Sequence, residues 1–413
     1  MAFVDRRLKP LLASVQNLPP PACILETVRI LCFFSLALPL LAAGSPQFAE
    51  HSIATDLRGG YQVVSADLNG DGKPDLIALG SGMSDLVWYE NPTWQRHVLA
   101  SGFTQLINCA VIPAAPGAIP DILVASGFAQ VPAQSPGKVA LLRHNADPRG
   151  PWTLQEIDQL TTSHRLRIAD IDGSGKPVVI DQPLVGPKAT PPDFRDQTPM
   201  VYYRPGEWKR QFISDGNSGV VHCIYPFDWD GDGRDEILTA SFVGIDLFKL
   251  GKDGKWTRTE LAKGDPSPWP KSGASDVAVG KLGATRFLTS IEPWHGNQVV
   301  TYTQKDGQWA RHVIDSSFQD GHALLTADLD RDGRDEIVGG FRGRGRSVYI
   351  YTADDATGEN WTRTTLDDGG MGAASCLAAD LNGDGRLDIA CIDSTRLKWY
   401  ENQGASPAAT QPK

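Results

Sequence analysis

Three histidines share one spacing. His164, His222 and His322 each stand six residues ahead of an aspartate, at Asp170, Asp228 and Asp328. A neutral imidazole is a ligand for zinc and other divalent transition metals. Three of them around one point, with coordination positions left open, form the donor set of a catalytic zinc. The chain has 8 His, and three of them at one repeat position favour a shared site over three unrelated strand caps. Repeat register alone does not make a site, however: His51, His97 and His312 share another register and are expected apart on an outer rim. Two further segments carry reactive types. Ser290-Ile-Glu292-Pro-Trp294-His295-Gly-Asn297 offers His295 or Glu292 for proton transfer, with Trp294 and Asn297 as substrate contacts. Gly340-Phe-Arg342-Gly-Arg344-Gly-Arg346 offers Arg342 and Arg344 to hold hydroxyls or a developing oxyanion. Tyr61 occupies the histidine position in the first repeat and is an alternative acid.

A repeat of about 50 residues must position these groups. The full unit has an apolar strand running into an acidic loop, a short strand ending in aromatic residues, and a strand opening with Trp-x-Arg; the second and fifth units have lost the loop. Inner strands are expected near 61–66, 104–109, 164–169, 222–227, 274–279, 322–327 and 374–379. Trp-x-Arg strands start at Trp94, Trp208, Trp256, Trp309 and Trp361, with Trp152 lacking the Arg and Phe48 a worn copy. The pattern predicts an all-β, seven-bladed β-propeller whose N-terminal strand completes the last blade, which removes the exposed sheet edges. Innermost strands line the central channel, so one repeat position puts all three imidazoles at one height. The insertion from Gln182 to Met200, with Lys188, Asp193, Arg195 and Asp196, is long enough to act as a lid.

The acidic loops are read as calcium sites on the opposite face. Oxygen ligands at loop positions one, three, five and nine, with Gly at six, suit Ca²⁺ and a sharp turn. The four complete sets are Asp67, Asn69, Asp71, Asp75; Asp228, Asp230, Asp232, Glu236; Asp328, Asp330, Asp332, Glu336; and Asp380, Asn382, Asp384, Asp388. Their expected role is to staple hairpins. The third loop, Asp170-Ile-Asp172-Gly-Ser174, has Val178 at the ninth position and is expected to bind weakly.

A formal net charge of −10 over 413 residues argues against nucleic acid as a partner. The apolar run Ile30–Ala43 follows Arg29 and is short for a membrane span. Residues 1–44 therefore read as a signal-peptide region, 45–404 as the propeller and 405–413 as a disordered tail. A secreted or periplasmic protein follows, with no stable membrane insertion after processing. Cys109, Cys223, Cys376 and Cys391 fall on strands. Buried free thiols are expected, although Cys376 and Cys391 sit on neighbouring strands of one blade.

Repeats of the form D-x-[DN]-x-D-G-x-x-[DE] after an apolar strand resemble the FG-GAP or VCBS repeats of integrin alpha-chain propellers and many exported bacterial proteins. The inner-strand histidines, Ile291-Glu-Pro-Trp-His-Gly-Asn297, Gly321-His-Ala and Gly340-Phe-Arg-Gly are similar to the propeller domain of aldos-2-ulose dehydratase and its bacterial relatives. That resemblance implies zinc at the bottom of a propeller cleft and dehydration of 1,5-anhydrofructose or related keto-sugars. The family's cupin and lectin domains have no counterpart in these 413 residues. The expected activity is an exported zinc lyase eliminating water from a keto-sugar, such as 1,5-anhydrofructose or a 3-keto-glycoside. The alternatives are a calcium-stapled propeller binding a glycan or protein, and a polysaccharide lyase acting on a uronate.

Overall fold

A computed structural model describes residues 46–405. The segments read as a signal peptide and as most of the tail lie outside the described residues. The described chain forms seven four-stranded antiparallel sheets around a central channel. The inner strands are Gly60–Ala66, Asn108–Ile112, Ser163–Ala169, Val221–Phe227, Asp276–Leu282, Gly321–Ala327 and Ser375–Ala379. The first strand, Pro46–Ala54, pairs antiparallel with the last, Leu397–Ala405, and closes the ring as the outer strand of blade seven. Among the described residues no helix is long and apolar enough to cross a membrane.

The sequence pattern explains the layering. Second strands such as Asp75–Gly80, Val178–Pro183 and Glu236–Ser241 are buried at every position, because neighbouring blades cover both of their faces. Outer strands such as Thr153–Gln159 are mostly exposed and polar. Wedges of apolar side chains between blades hold the ring. One wedge joins Trp88 and Leu76 of blade one to Leu377 and Ala390 of blade seven. Each fully buried Leu or Ile there contributes ~1.5–3 kcal/mol. The Trp-x-Arg arginines reach carboxylates within and between blades: Arg96 to Asp85 and Arg258 to Asp246 on the neighbouring strand, Arg311 to Glu292 two strands inward, and Arg210 to Asp158 and Arg363 to Asp315 on the outer strand of the preceding blade.

Three expectations need correction. The second inner strand is Asn108–Ile112, not 104–109, because blade two has no acidic loop to anchor the alignment. The fifth is Asp276–Leu282, so Ala274 precedes it. Cys376 and Cys391 are joined by a disulfide, since the ladder places them directly opposite one another with Cα atoms 4.1 Å apart. Cys109 and Cys223 are free and buried.

The acidic loops close hairpins between first and second strands. Asp67 accepts the N–H groups of Gly70, Asp71 and Gly72, and Asp380 accepts those of Gly383, Asp384 and Gly385. Asn69 and Asn382 donate to Asp71 and Asp384 within their loops. The ninth-position carboxylates turn back beneath the loop. Asp75, Glu236, Glu336 and Asp388 accept the N–H of Leu68, Trp229, Leu329 and Leu381. Burial pushes the Asp75 carboxyl up to about 7, Glu336 to about 8 and Asp388 to about 6. A hard cation fits such a cluster best in blade six. Asp328, Asp330 and Asp332 bring oxygens within 4.8 Å of one another, and Asp328 Oδ1 is buried without a hydrogen-bond partner. Blade four departs from this. Lys249 Nζ lies against Asp230 and 3.5 Å from Glu236, so an ammonium already supplies positive charge there.

Candidate active site

A local backbone device aims the channel side chains. Pairing of the inner strands skips one residue between Gly60 and Gln62, between Ser163 and Arg165, between Val221 and Cys223, and between Gly321 and Ala323. The skipped residues are Tyr61, His164, His222 and His322. A β-bulge frees its residue from the ladder and re-aims its side chain, and here the same bulge recurs in four blades. These residues sit at the opposite end of their strands from the acidic loops, ~20 Å away at ~3.3 Å per residue.

Blade five has no such bulge and supplies its imidazole from the hairpin after its second strand. His295 adopts a left-handed backbone, φ 49°, which a non-glycine residue holds only where its surroundings enforce it. Two contacts do so. The His295 N–H donates to Ser275 Oγ at 3.2 Å, and the Gly321 N–H donates to Gly296 O at 3.0 Å. A Cβ at Gly321 would lie 2.9 Å from that Gly296 oxygen, so the close approach needs glycine. The result docks His295 beside His322.

Four imidazoles therefore converge. Ring centroids are 5.2 Å apart for His164 and His222, 4.9 Å for His222 and His295, 5.0 Å for His222 and His322, and 5.1 Å for His295 and His322. His222 Nδ1 lies 3.0 Å from Ser275 O and His322 Nδ1 2.6 Å from Ala374 O. Each carbonyl comes from the next blade and fixes the proton on Nδ1, so both Nε2 atoms turn a lone pair inward. This is the outer support that metal-binding histidines use. His295 Nε2 stands 3.3 Å from His222 Nε2, and His322 Nε2 is buried without a hydrogen-bond partner. His222, His295 and His322 each offer a ring nitrogen within 4.8 Å of the other two.

Burial holds His164, His222 and His322 well below the usual imidazole range, reinforced by Arg165 for the first two and by Arg342 for His322. His295 is pushed down to about 3 by burial and Arg342, against the pull of Asp320. Neutral imidazoles with facing lone pairs, and within the trio an orphaned His322 Nε2, fit a divalent transition metal; His164 Nδ1 is also buried without a partner among the described residues.

The three imidazoles that come closest together are not the three expected. His164 lies outside the close trio, with its Nε2 engaged by the Tyr61 hydroxyl at 3.0 Å and by Arg165 at 3.3 Å; Arg165 also reaches His222 Nε2, at 3.4 Å. His295, expected as an acid or base, takes its place. Glu292 is also displaced. Its carboxylate is fully buried inside blade five and accepts from the Ser290 and Tyr302 hydroxyls and from Arg311 Nε at 2.8 Å. It is the blade's partner for the Trp-x-Arg arginine and faces away from the channel.

Of the remaining candidates, Arg342 is held by Asp320 through bonds of 3.1 and 2.9 Å and lies 3.4 Å from His295 Nδ1. Trp294 packs between Phe194, Phe242 and the His295 ring, forming a wall. The long insertion supports that wall with Leu184, Val185 and Phe194 in a small core of its own. Asn297 donates at 3.4 Å to Ser316 O in the link to blade six, and Arg344 is exposed. Neither lines the cavity of about 220 Å³ beside the imidazoles, whose walls include Tyr61, Arg342, Arg346, Ala374 and Asp393. His51, His97 and His312 bond to Glu401, Glu90 and Thr303 on the outer strands, apart from the site. Sequence reasoning missed Arg165, Asp320 and Arg346. Strand alternation would turn Arg165 away from His164, and only the bulge puts both on one side.

Comparisons with known proteins agree with the propeller fold. Residues 136–305 match the family described as aldos-2-ulose dehydratase, beta-propeller domain. Residues 59–94 match the FG-GAP repeat and 328–391 the FG-GAP-like repeat. The chain carries FG-GAP repeats and resembles the aldos-2-ulose dehydratase propeller. The aldos-2-ulose dehydratase of Phanerodontia chrysosporium is 27% identical over 310 residues, 65% of this chain but only 33% of that protein's length. A crystal structure of BBS1N in complex with ARL6DN superposes with a TM-score of 0.54 at 12% identity, over 89% of this chain and 99% of that one. It supports the fold alone. The match to the dehydratase propeller family, over residues 136–305, covers His164, His222 and His295 and ends before His322 and Arg342.

Proposed function

We propose that this protein is an exported, metal-dependent carbohydrate lyase that eliminates water from a small keto-sugar, with 1,5-anhydrofructose and 3-keto-glycosides as the leading candidates. The observation that carries the reading is the trio His222, His295 and His322 with its orphaned Nε2, set beside a cavity lined by Tyr61 and Arg342. The similarity to aldos-2-ulose dehydratase supports the reaction class. A divalent ion such as zinc, when bound by this trio, supplies Lewis acidity at a carbonyl oxygen.

The chain's own groups handle the protons. Elimination beside a carbonyl removes an α-proton and releases the β-hydroxyl as water. The Tyr61 hydroxyl borders the cavity, donates to His164 Nε2 and accepts from Arg165 at 3.1 Å. Tyr61 and His164 are therefore the pair through which a proton passes, with Arg165 holding the Tyr61 oxygen in place. Arg342, oriented by Asp320, places its guanidinium where a sugar oxygen gains charge. The cavity of about 220 Å³ is smaller than the ~300–1,000 Å³ of drug-sized pockets and suits one sugar ring better than a polysaccharide chain. The Cys376–Cys391 disulfide suits an oxidising compartment and supports export. Calcium in the acidic loops completes the proposal.

The test is enone absorbance from 1,5-anhydrofructose and from a 3-keto-glucoside, with zinc-loaded and chelated protein. Turnover by the loaded form alone is the expected result. Inactivity across both sugars, with tight binding of an intact glycan, would make the propeller a binding module.

A further inference from the structure

The interior around the imidazoles carries more positive charge than its carboxylates offset. Arg165 is buried, and every hydrogen bond it makes among the described residues goes to a neutral acceptor: the Tyr61 hydroxyl, His164 Nε2, and His222 Nε2 at 3.4 Å. Arg167, two residues along the strand, bonds among the described residues only to the Asn108 side-chain oxygen and Leu166 O. Asp276 is the carboxylate that acts on both, and it does so from beyond bonding distance. A buried cation without a contacting anion is costly.

The cavity repeats this imbalance. Arg342 is neutralised by Asp320, and Asp393 by Arg396. Arg346, exposed at the mouth, lines the same cavity and among the described residues bonds only to Gly369 O and, through its backbone, to Gly343, so its guanidinium is open to a ligand. One guanidinium at the mouth and one behind Tyr61 are thus left without a carboxylate partner.

We infer that the ligand of this cavity is a sugar acid, whose carboxylate is met by Arg346 at the mouth and drawn inward by Arg165. This rests on the lyase reading above and narrows its substrate to an oxidised sugar bearing a carboxylate. Arg–carboxylate pairs are often bidentate, and in a partly desolvated site they are worth more than an exposed pair.

The probes are methyl α-D-glucuronoside and methyl α-D-glucoside, which differ at one carbon, titrated calorimetrically into the whole protein. The expected result is at least tenfold tighter binding of the glucuronoside, with the preference weakening as salt rises. Arg346→Gln, whose folding is checked by its melting temperature, is expected to cut that preference below threefold. The preference is expected to survive removal of metal by EDTA. Equal binding of the two probes, an unchanged preference in Arg346→Gln, or loss of the preference with EDTA would each overturn the proposal. The last outcome would put the carboxylate on the metal. Failures of the two readings are separable. Turnover of neutral keto-sugars without an acid preference sinks this inference and leaves the lyase standing. An acid preference without metal binding or turnover does the reverse.

Discussion

Replacing Glu292 by Gln tests whether the site has been drawn on the correct side of blade five. The carboxylate is fully buried and accepts from Ser290, Tyr302 and Arg311. Glutamine keeps the shape but removes the charge and turns an NH₂ group toward one of these donors. Arg311 retains Gln298 and stands 3.9 Å from Asp265, so part of its charge stays compensated. Breaking a buried pair costs ~3–5 kcal/mol, and a side chain as exposed as that of Arg311 puts the loss at the low end, ~3 kcal/mol. Over an unfolding entropy of ~0.75 kcal/mol/K for a domain of this length, the melting temperature falls by ~4 °C. Scanning calorimetry reads that shift, and metal analysis and turnover are measured on the same sample. The expected outcome is a destabilised protein with its metal content and kcat within ~3-fold of the parent, against the ~10²–10⁴-fold that a proton-transfer group supplies. An unchanged melting temperature with a hundredfold fall in kcat would refute the placement.

The other perturbations probe separate parts of the molecule. Tyr61→Phe removes the hydroxyl bonded to His164 and is expected to lower kcat by ~10²–10⁴-fold with metal retained; full activity in the variant would remove Tyr61 from the chemistry. EGTA is expected to lower the melting temperature, and a calcium site held at ~100 times its Kd contributes ~2.7 kcal/mol. Asp332→Ala should abolish more of that EGTA-sensitive shift than Asp232→Ala, because Lys249 already offsets the blade-four loop; equal effects would contradict the lysine's role. Deleting residues 46–54 exposes the edge of blade seven and should cause aggregation by light scattering, whereas a monomeric, equally stable product would show that the ring closes without that strand.

The fold was legible because it repeats. Seven apolar inner strands, five acidic loops and five Trp-x-Arg strands outvote any one worn copy, and Phe48 betrayed the closing strand by its register. Where the loop had been lost, at Thr104 and Ala274, alignment slipped, since nothing but the aspartate pinned it. The imidazole ring was legible for the same reason, but its membership was not. His295 enters through a left-handed turn docked on Gly321, and no periodicity announces such a turn. Glu292 belongs to the strand and not to the loop, so its carboxylate points into the blade. Arg165 follows His164 directly, and period-two alternation sends consecutive side chains to opposite faces unless a bulge intervenes. The Cys376–Cys391 bond depended on cross-strand register, which composition does not carry.

Metal content of four single variants tests the central claim most directly. Wild type, His164→Ala, His222→Ala, His295→Ala and His322→Ala are loaded with zinc, dialysed against a zinc buffer and analysed by mass spectrometry. A four-ligand structural zinc binds with ~10–16 kcal/mol, so one ligand is worth ~2.5–4 kcal/mol, or ~10²–10³-fold in affinity. Near one zinc per chain is expected in wild type and in His164→Ala, and almost none in the other three. Zinc lost from His164→Ala but kept by His295→Ala, or absent from the wild type, would contradict the account.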